Sequence, residues 1–194
     1  DEPGELQHRI RPVGEARRLT SQTERFEYFP AFSRDGKQLV YVSWTDADQG
    51  RVRVLDLAGG RDTIVTPEPG KYLSPAFSPD GRTVAYQKAK GGFLTSPWNS
   101  LEPGVYVAAA DGKGQPRRVT KDGEAPQFGA DNDTLYVTRK QTTGEVDSNH
   151  QLVRLNLVER SEFAVAKSEF ATRFTVSPDG QWLGFTERFH TYVT

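Results

Sequence analysis

The residues best equipped for chemistry in this chain are three histidines, several aspartates and the serines that precede some of them. His8, His150 and His190 lie far apart, and none sits in an H-x-H or H-E-x-x-H spacing that would hold zinc. Cysteine is absent, which removes disulfides, thiol nucleophiles and thiolate metal sites. No serine occupies the G-x-S-x-G setting of a strained nucleophile. Asp46-Ala47-Asp48-Gln49-Gly50 and Asp131-Asn132-Asp133 offer oxygen ligands for Ca²⁺, but neither continues to the bidentate glutamate of an EF-hand, and hairpin turns account for both. Asn132-Asp133-Thr134 has the letters of a glycosylation acceptor inside such a turn. No catalytic, cofactor-binding or metal-binding residue is expected, and no cofactor.

Four aspartates belong instead to a repeated sentence. Ser74-Pro75-Ala76-Phe77-Ser78-Pro79-Asp80-Gly81 reads as a strand entering a tight turn, and Arg82 to Gln87 as the next strand. The pattern also occurs around Asp35-Gly36, around Asp131-Asn132 and around Asp179-Gly180. The aligned Phe32, Phe77, Phe128 and Val176 are 45, 51 and 48 residues apart. A strand-borne period of that length marks propeller blades. In each turn the aspartate is expected to accept backbone N–H bonds and the glycine to supply positive φ. Asn132, the residue type that best tolerates the left-handed region after glycine, is expected to take the same conformation in the third copy.

These turns organise an all-β fold of four-stranded antiparallel blades, about four of them, read as part of a larger propeller. Leu39, Val84, Leu135 and Leu183 share a face of the second strand with Tyr41, Tyr86, Val137 and Phe185. Val40, Ala85, Tyr136 and Gly184 lie between them, so both faces are largely apolar, as for a blade sandwiched between blades. The expected units are residues 1–27 as outer strands of a partial blade, then blades over 28–73, 74–123 and 124–171, and an incomplete blade over 172–194. Leu6 to Val13 and Ala16 to Thr20 are the two expected outer strands of the first unit. A polar loop is expected from Arg139 to His150. An insertion over 88–104 carries Phe93, Leu94 and Trp98, which are expected on a rim surface meeting another domain.

The 194 residues carry a net charge of −1, with no basic footprint for nucleic acid. Arg17-Arg18 and Arg117-Arg118 recur at equivalent repeat positions and read as solvated strand faces. No stretch has the apolar length of a membrane span. There is no methionine, even at position 1, and no signal peptide in Asp1 to Arg11, so a processed chain or a piece of a longer one is expected.

Pro75 to Tyr86, Asp56 to Gly60 and Arg17 to Thr20 together resemble the TolB-type propeller repeats over nearly the whole chain. Tyr28 to Trp44, Gly70 to Gly81, Gly91 to Tyr106, Phe128 to Asn132 and Val176 to Val193 are similar to the propeller region of bacterial amidohydrolases with an N-terminal TolB-like domain. That resemblance implies a periplasmic or otherwise exported protein, and a metal-dependent hydrolase barrel in the parent rather than in these residues. The expected role is non-catalytic docking of another domain or a protein partner, with self-association possible through exposed end blades. The alternative is the propeller of a hydrolase or peptidase that gates substrate access and contributes site residues.

Overall fold

Alternating apolar residues and closely spaced turns produce only strands in the computed structural model, which describes residues 14–15, 17–90, 101–141, 149–168 and 170–194. Blade one contains β1 (Phe26–Phe32), β2 (Gln38–Thr45), β3 (Gln49–Asp56) and β4 (Asp62–Ile64). Blade two contains β5 (Tyr72–Phe77), β6 (Thr83–Lys88), β7 (Gly104–Ala109) and β8 (Arg117–Thr120). Blade three contains β9 (Glu124–Phe128), β10 (Thr134–Gln141), β11 (Asn149–Asn156) and β12 (Ser161–Ser168). Blade four has three strands, β13 (Ala171–Val176), β14 (Leu183–Glu187) and β15 (His190–Val193). Each sheet is an antiparallel meander in sequence order, and the four sheets form a β-propeller.

The core lies between the sheets. Val40 and Val42 of blade one meet Val84 and Tyr86 of blade two. The opposite face of β6 presents Ala85 toward Leu135 and Val137 of blade three. Leu152 joins Phe174 and Leu183 of blade four. Burial on both faces explains why these second strands carry near-continuous apolar runs.

The first strand of every blade is bulged. Tyr28 pairs with Val42 and Ala31 with Val40, so β1 has one extra residue, and β5 and β9 repeat the pattern. The residues before the prolines, Phe29, Ser74 and Ala125, have φ of 56°, 47° and 48°. Proline brings no N–H to the ladder, and the bulge removes the need for one.

Two expectations about elements are corrected. Residues 17–25 form no strand: Thr20 and Arg25 instead place their side chains on Glu27, Tyr41 and Asp62 of blade one. Leu6 to Val13 lie outside the described residues. The segment read as a polar loop is partly sheet, since β10 and β11 pair as far as Gln141 and Asn149. Polar residues continue the ladder there because the backbone bonds do not depend on side-chain polarity.

Candidate docking surface

The four turns after the first strands gather at one end of the molecule. In blade two, Ser78 Oγ donates to Asp80 Oδ1 at 2.6 Å, and Arg82 N donates to the same oxygen at 3.0 Å. Thr83 N donates to Ser78 Oγ at 3.0 Å, and Gly81 N to Ser78 O at 2.9 Å. Asp35 and Asp179 are held in the same way by Ser33 with Lys37, and by Ser177 with Gln181. Gly36, Gly81 and Gly180 have φ of 69°, 71° and 72°. These bonds favour the ionised carboxylates: the Ser33, Ser78 and Ser177 hydroxyls, then the backbone N–H groups, hold Asp35, Asp80 and Asp179 below the ordinary range.

The third turn is built differently. Asn132 does not adopt positive φ. Gly129 stands where the other copies have serine, so no hydroxyl is available, and Asp131 Oδ1 accepts from both Asp133 N at 2.9 Å and Thr134 N at 2.7 Å. Burial pushes the Asp131 carboxyl up, but its bonds from Thr134 and Asp133 outweigh this and hold it below the ordinary range. Asn132 Oδ1 is freed to accept Asp80 N at 3.1 Å, joining two blades.

Arg34 of the first turn reaches further, donating to Gly129 O, Ala130 O and Pro178 O at 3.2–3.4 Å. Gln127 similarly joins blades three and four, donating to Phe174 O at 2.8 Å and accepting Val176 N at 3.2 Å. Neither bridge was legible in the repeat pattern, although Arg34 breaks it visibly where Pro79 and Pro178 stand in other copies.

At the root of the 88–104 insertion a cavity of about 190 Å³ is lined by Tyr72, Tyr86, Tyr106, Lys88, Glu68 and Glu102. Tyr86 and Tyr106 stack with ring centroids 5.9 Å apart, and Tyr72 meets Tyr86 edge to face at 5.4 Å. Burial pushes the Tyr72 phenol up to about 12 and raises that of Tyr86 further. Lys88 is almost wholly buried, with Nζ 3.3 Å from Glu68 Oε2 and 5.8 Å from the Tyr106 ring centroid. Phe93, Leu94 and Trp98, the residues expected to form the docking rim, lie outside the described residues.

The two end faces differ. On blade one, Asp62 Oδ2 accepts from Arg25 Nη2 at 2.9 Å, Tyr41 OH at 3.0 Å and Arg53 Nη1 at 3.1 Å. Thus part of a face expected to be apolar is a half-buried charge network, because Arg25 folds over it. Beside it Phe32, which pairs with Leu39, is 66% exposed. On blade four, Trp182 is 58% and Phe189 94% exposed.

Among the described residues no group of three or more His, Asp or Glu residues could hold a metal ion, and His150 and His190 stand on the separate strands β11 and β15. No helix of the described residues is long and apolar enough to cross a membrane.

The sequence profile described as the TolB beta propeller domain matches residues 13–191. The Tol-Pal system protein TolB of Francisella tularensis subsp. mediasiatica (strain FSC147) is 40% identical over 62 residues, 32% of this chain and 14% of that protein. TolB of Rickettsia rickettsii (strain Sheila Smith) is 36% identical over 63 residues, with the same shares. The matched segment is therefore a small part of these relatives. Among solved structures, TolB from Acinetobacter baumannii aligns with a TM-score of 0.66 at 23% identity, over 87% of this chain and 40% of that one. An oligogalacturonate lyase in complex with manganese aligns with a TM-score of 0.66 at 15% identity, over 86% and 48%. These two likenesses concern the fold alone. With the profile covering nearly its whole length, the chain belongs to the TolB β-propeller domain family.

Proposed function

We propose that this chain is a non-catalytic propeller segment that docks another domain of its parent protein or a separate protein partner. The observation that carries the reading is a set of exposed aromatic side chains, Phe26, Phe32, Trp182 and Phe189, on a TolB-type scaffold. Aromatic side chains are enriched at protein interfaces, where they act as anchors. Its repeat aspartates Asp35, Asp80, Asp131 and Asp179 are engaged in turns, and among the described residues His150 and His190 stand on separate strands, which supports a binding role over catalysis.

The resemblance in the insertion extends the proposal to a larger bacterial amidohydrolase in the periplasm, with Phe93, Leu94 and Trp98 meeting the hydrolase domain. Calorimetric titration with the separately purified remainder of the parent protein tests the docking. Binding should weaken on Trp98→Ala, and on Phe32→Ser with Trp182→Ser, while the melting temperature stays nearly unchanged. Undiminished binding by every variant, or a collapsed melt for Trp98→Ala, defeats that surface assignment. The purified chain should also lack amidase and peptidase turnover when supplied with divalent metal. Turnover abolished by His150→Ala or His190→Ala would overturn the non-catalytic reading.

A gating role is the second reading. It is favoured by the convergence of four turns, with Arg34 reaching across them, at one end of the molecule. Substrate selection by size in the intact parent, lost on removal of the propeller, would favour it over docking alone.

A further inference from the structure

The apolar interfaces of the propeller join neighbouring blades: one with two, two with three, and three with four. Arg34 joins blade one directly to blades three and four. Its Nη2 donates to Gly129 O at 3.3 Å and to Pro178 O at 3.2 Å, and its Nη1 donates to Ala130 O at 3.4 Å. The acceptors stand in the β9–β10 and β13–β14 turns, while Arg34 stands in the β1–β2 turn.

We propose that Arg34 is a latch across the turns at this end of the molecule, fixing the spacing of the first and fourth blades. Three face-to-face joints in series accumulate small rotations, so the end blades are the pair whose spacing the stacked cores constrain least. A tie that bypasses the intermediate blades removes much of that freedom. Arginine suits the task because its planar fork carries five donors and serves several acceptors at once, whereas a lysine ammonium is a compact point charge. The bonds are long, and their acceptors are neutral carbonyls. The latch therefore holds geometry without being a large part of folding stability, and it can open and close while every blade stays folded.

The repeat itself supplies the variant that separates these roles. Arg34→Pro restores the Ser-Pro-Asp-Gly sentence of blades two and four. The turn bonds of Ser33 and Asp35 use no atom of the Arg34 side chain, so they persist. The chain has no cysteine, so Lys37→Cys with Gln181→Cys places one spin-label pair on the turns of blades one and four. With Arg34 present, electron-electron resonance should give one narrow distance distribution. Arg34→Pro should broaden it and shift it to longer distance, and Arg34→Lys should lie between, with near-ultraviolet circular dichroism and melting temperature close to the parent's. Superimposable distributions for Arg34 and Arg34→Pro would overturn the latch. A collapsed melt in Arg34→Pro would also overturn it, by making the side chain part of the blade's own fold.

Discussion

Asp80 has the exposed carboxylate and neighbouring serine of a catalytic pair, yet both groups are committed to a turn. Ser78 Oγ donates to the aspartate while accepting Thr83 N, so its proton and one lone pair are engaged. The Ser78 hydroxyl, with Arg82 N behind it, lowers the Asp80 pKa. A depressed folded pKa means that the turn's stabilisation is present above the unfolded value near 3.8 and is lost as pH falls through the folded one. Ser78→Ala should therefore move the Asp80 titration, followed by carboxyl NMR, upward toward its ordinary value. An unmoved titration would assign the shift to another cause. Gly81→Val puts a β-branched residue at φ 71° and should cost about 1–3 kcal/mol. Asn132→Gly loses one bond to Asp80 N and should cost about 0.5–1.5 kcal/mol. Paired thermal melts check that order, and equal shifts would refute it. The aspartate–glycine turns were legible because their chemistry is local. The conformation of Asn132 was not, since it depends on a hydroxyl missing three residues earlier at Gly129 and on an acceptor needed by the neighbouring blade.

At the scale of the strand, alternation and turn spacing located the blades, because burial on two faces writes itself into consecutive residues such as Leu39, Val40, Tyr41 and Val42. Strand ends were less legible: β10 and β11 continue through polar residues on backbone bonds alone. The bulges were invisible as a pattern of side chains, although proline at positions 30, 75 and 126 marks those of the first three blades. Close backbone approach is similarly silent in the sequence. Gly70 N donates to Gly50 O at 3.2 Å, and a Cβ placed on Gly50 would stand 2.2 Å from Gly70 O. A clash with backbone cannot be relieved by rotating a side chain. Gly50→Ala should thus destabilise the chain by about 1–3 kcal/mol through forced separation of these segments. At Gly59 the nearest atom to such a Cβ is the flexible Asp56 Oδ2 at 3.1 Å, so Gly59→Ala should be close to neutral. Denaturant unfolding of the two variants decides the matter; a silent Gly50→Ala would mean that the bridge yields without loss.

Across the whole molecule, the repeat period implied a propeller, but not what covers the face of blade one turned away from blade two. That outcome depends on Arg25, whose side chain leaves an irregular segment to meet Tyr41 and Asp62, a pairing between residues no repeat relates. The resulting asymmetry shapes how two copies would meet. Blade one offers Phe32 beside the charged network, and blade four offers Trp182, one residue before buried Leu183 and hence on the face turned away from blade three. Faces with such different chemistry favour a head-to-tail contact, blade four of one copy against blade one of the next, over a two-fold symmetric one. A heterologous contact does not saturate unless its rotation closes a ring. Sedimentation velocity should therefore show mass-averaged size rising with concentration through successive species rather than levelling at a dimer. Trp182→Ser should suppress the series, and Phe32→Ser should do the same from the other side. Because each copy of a single variant lacks only one of the two faces, mixing the variants leaves one intact pairing: an unaltered blade one meeting an unaltered blade four. The mixture should form dimers and stop there. A monomer at all concentrations, or longer species in the mixture, would exclude this mode of association.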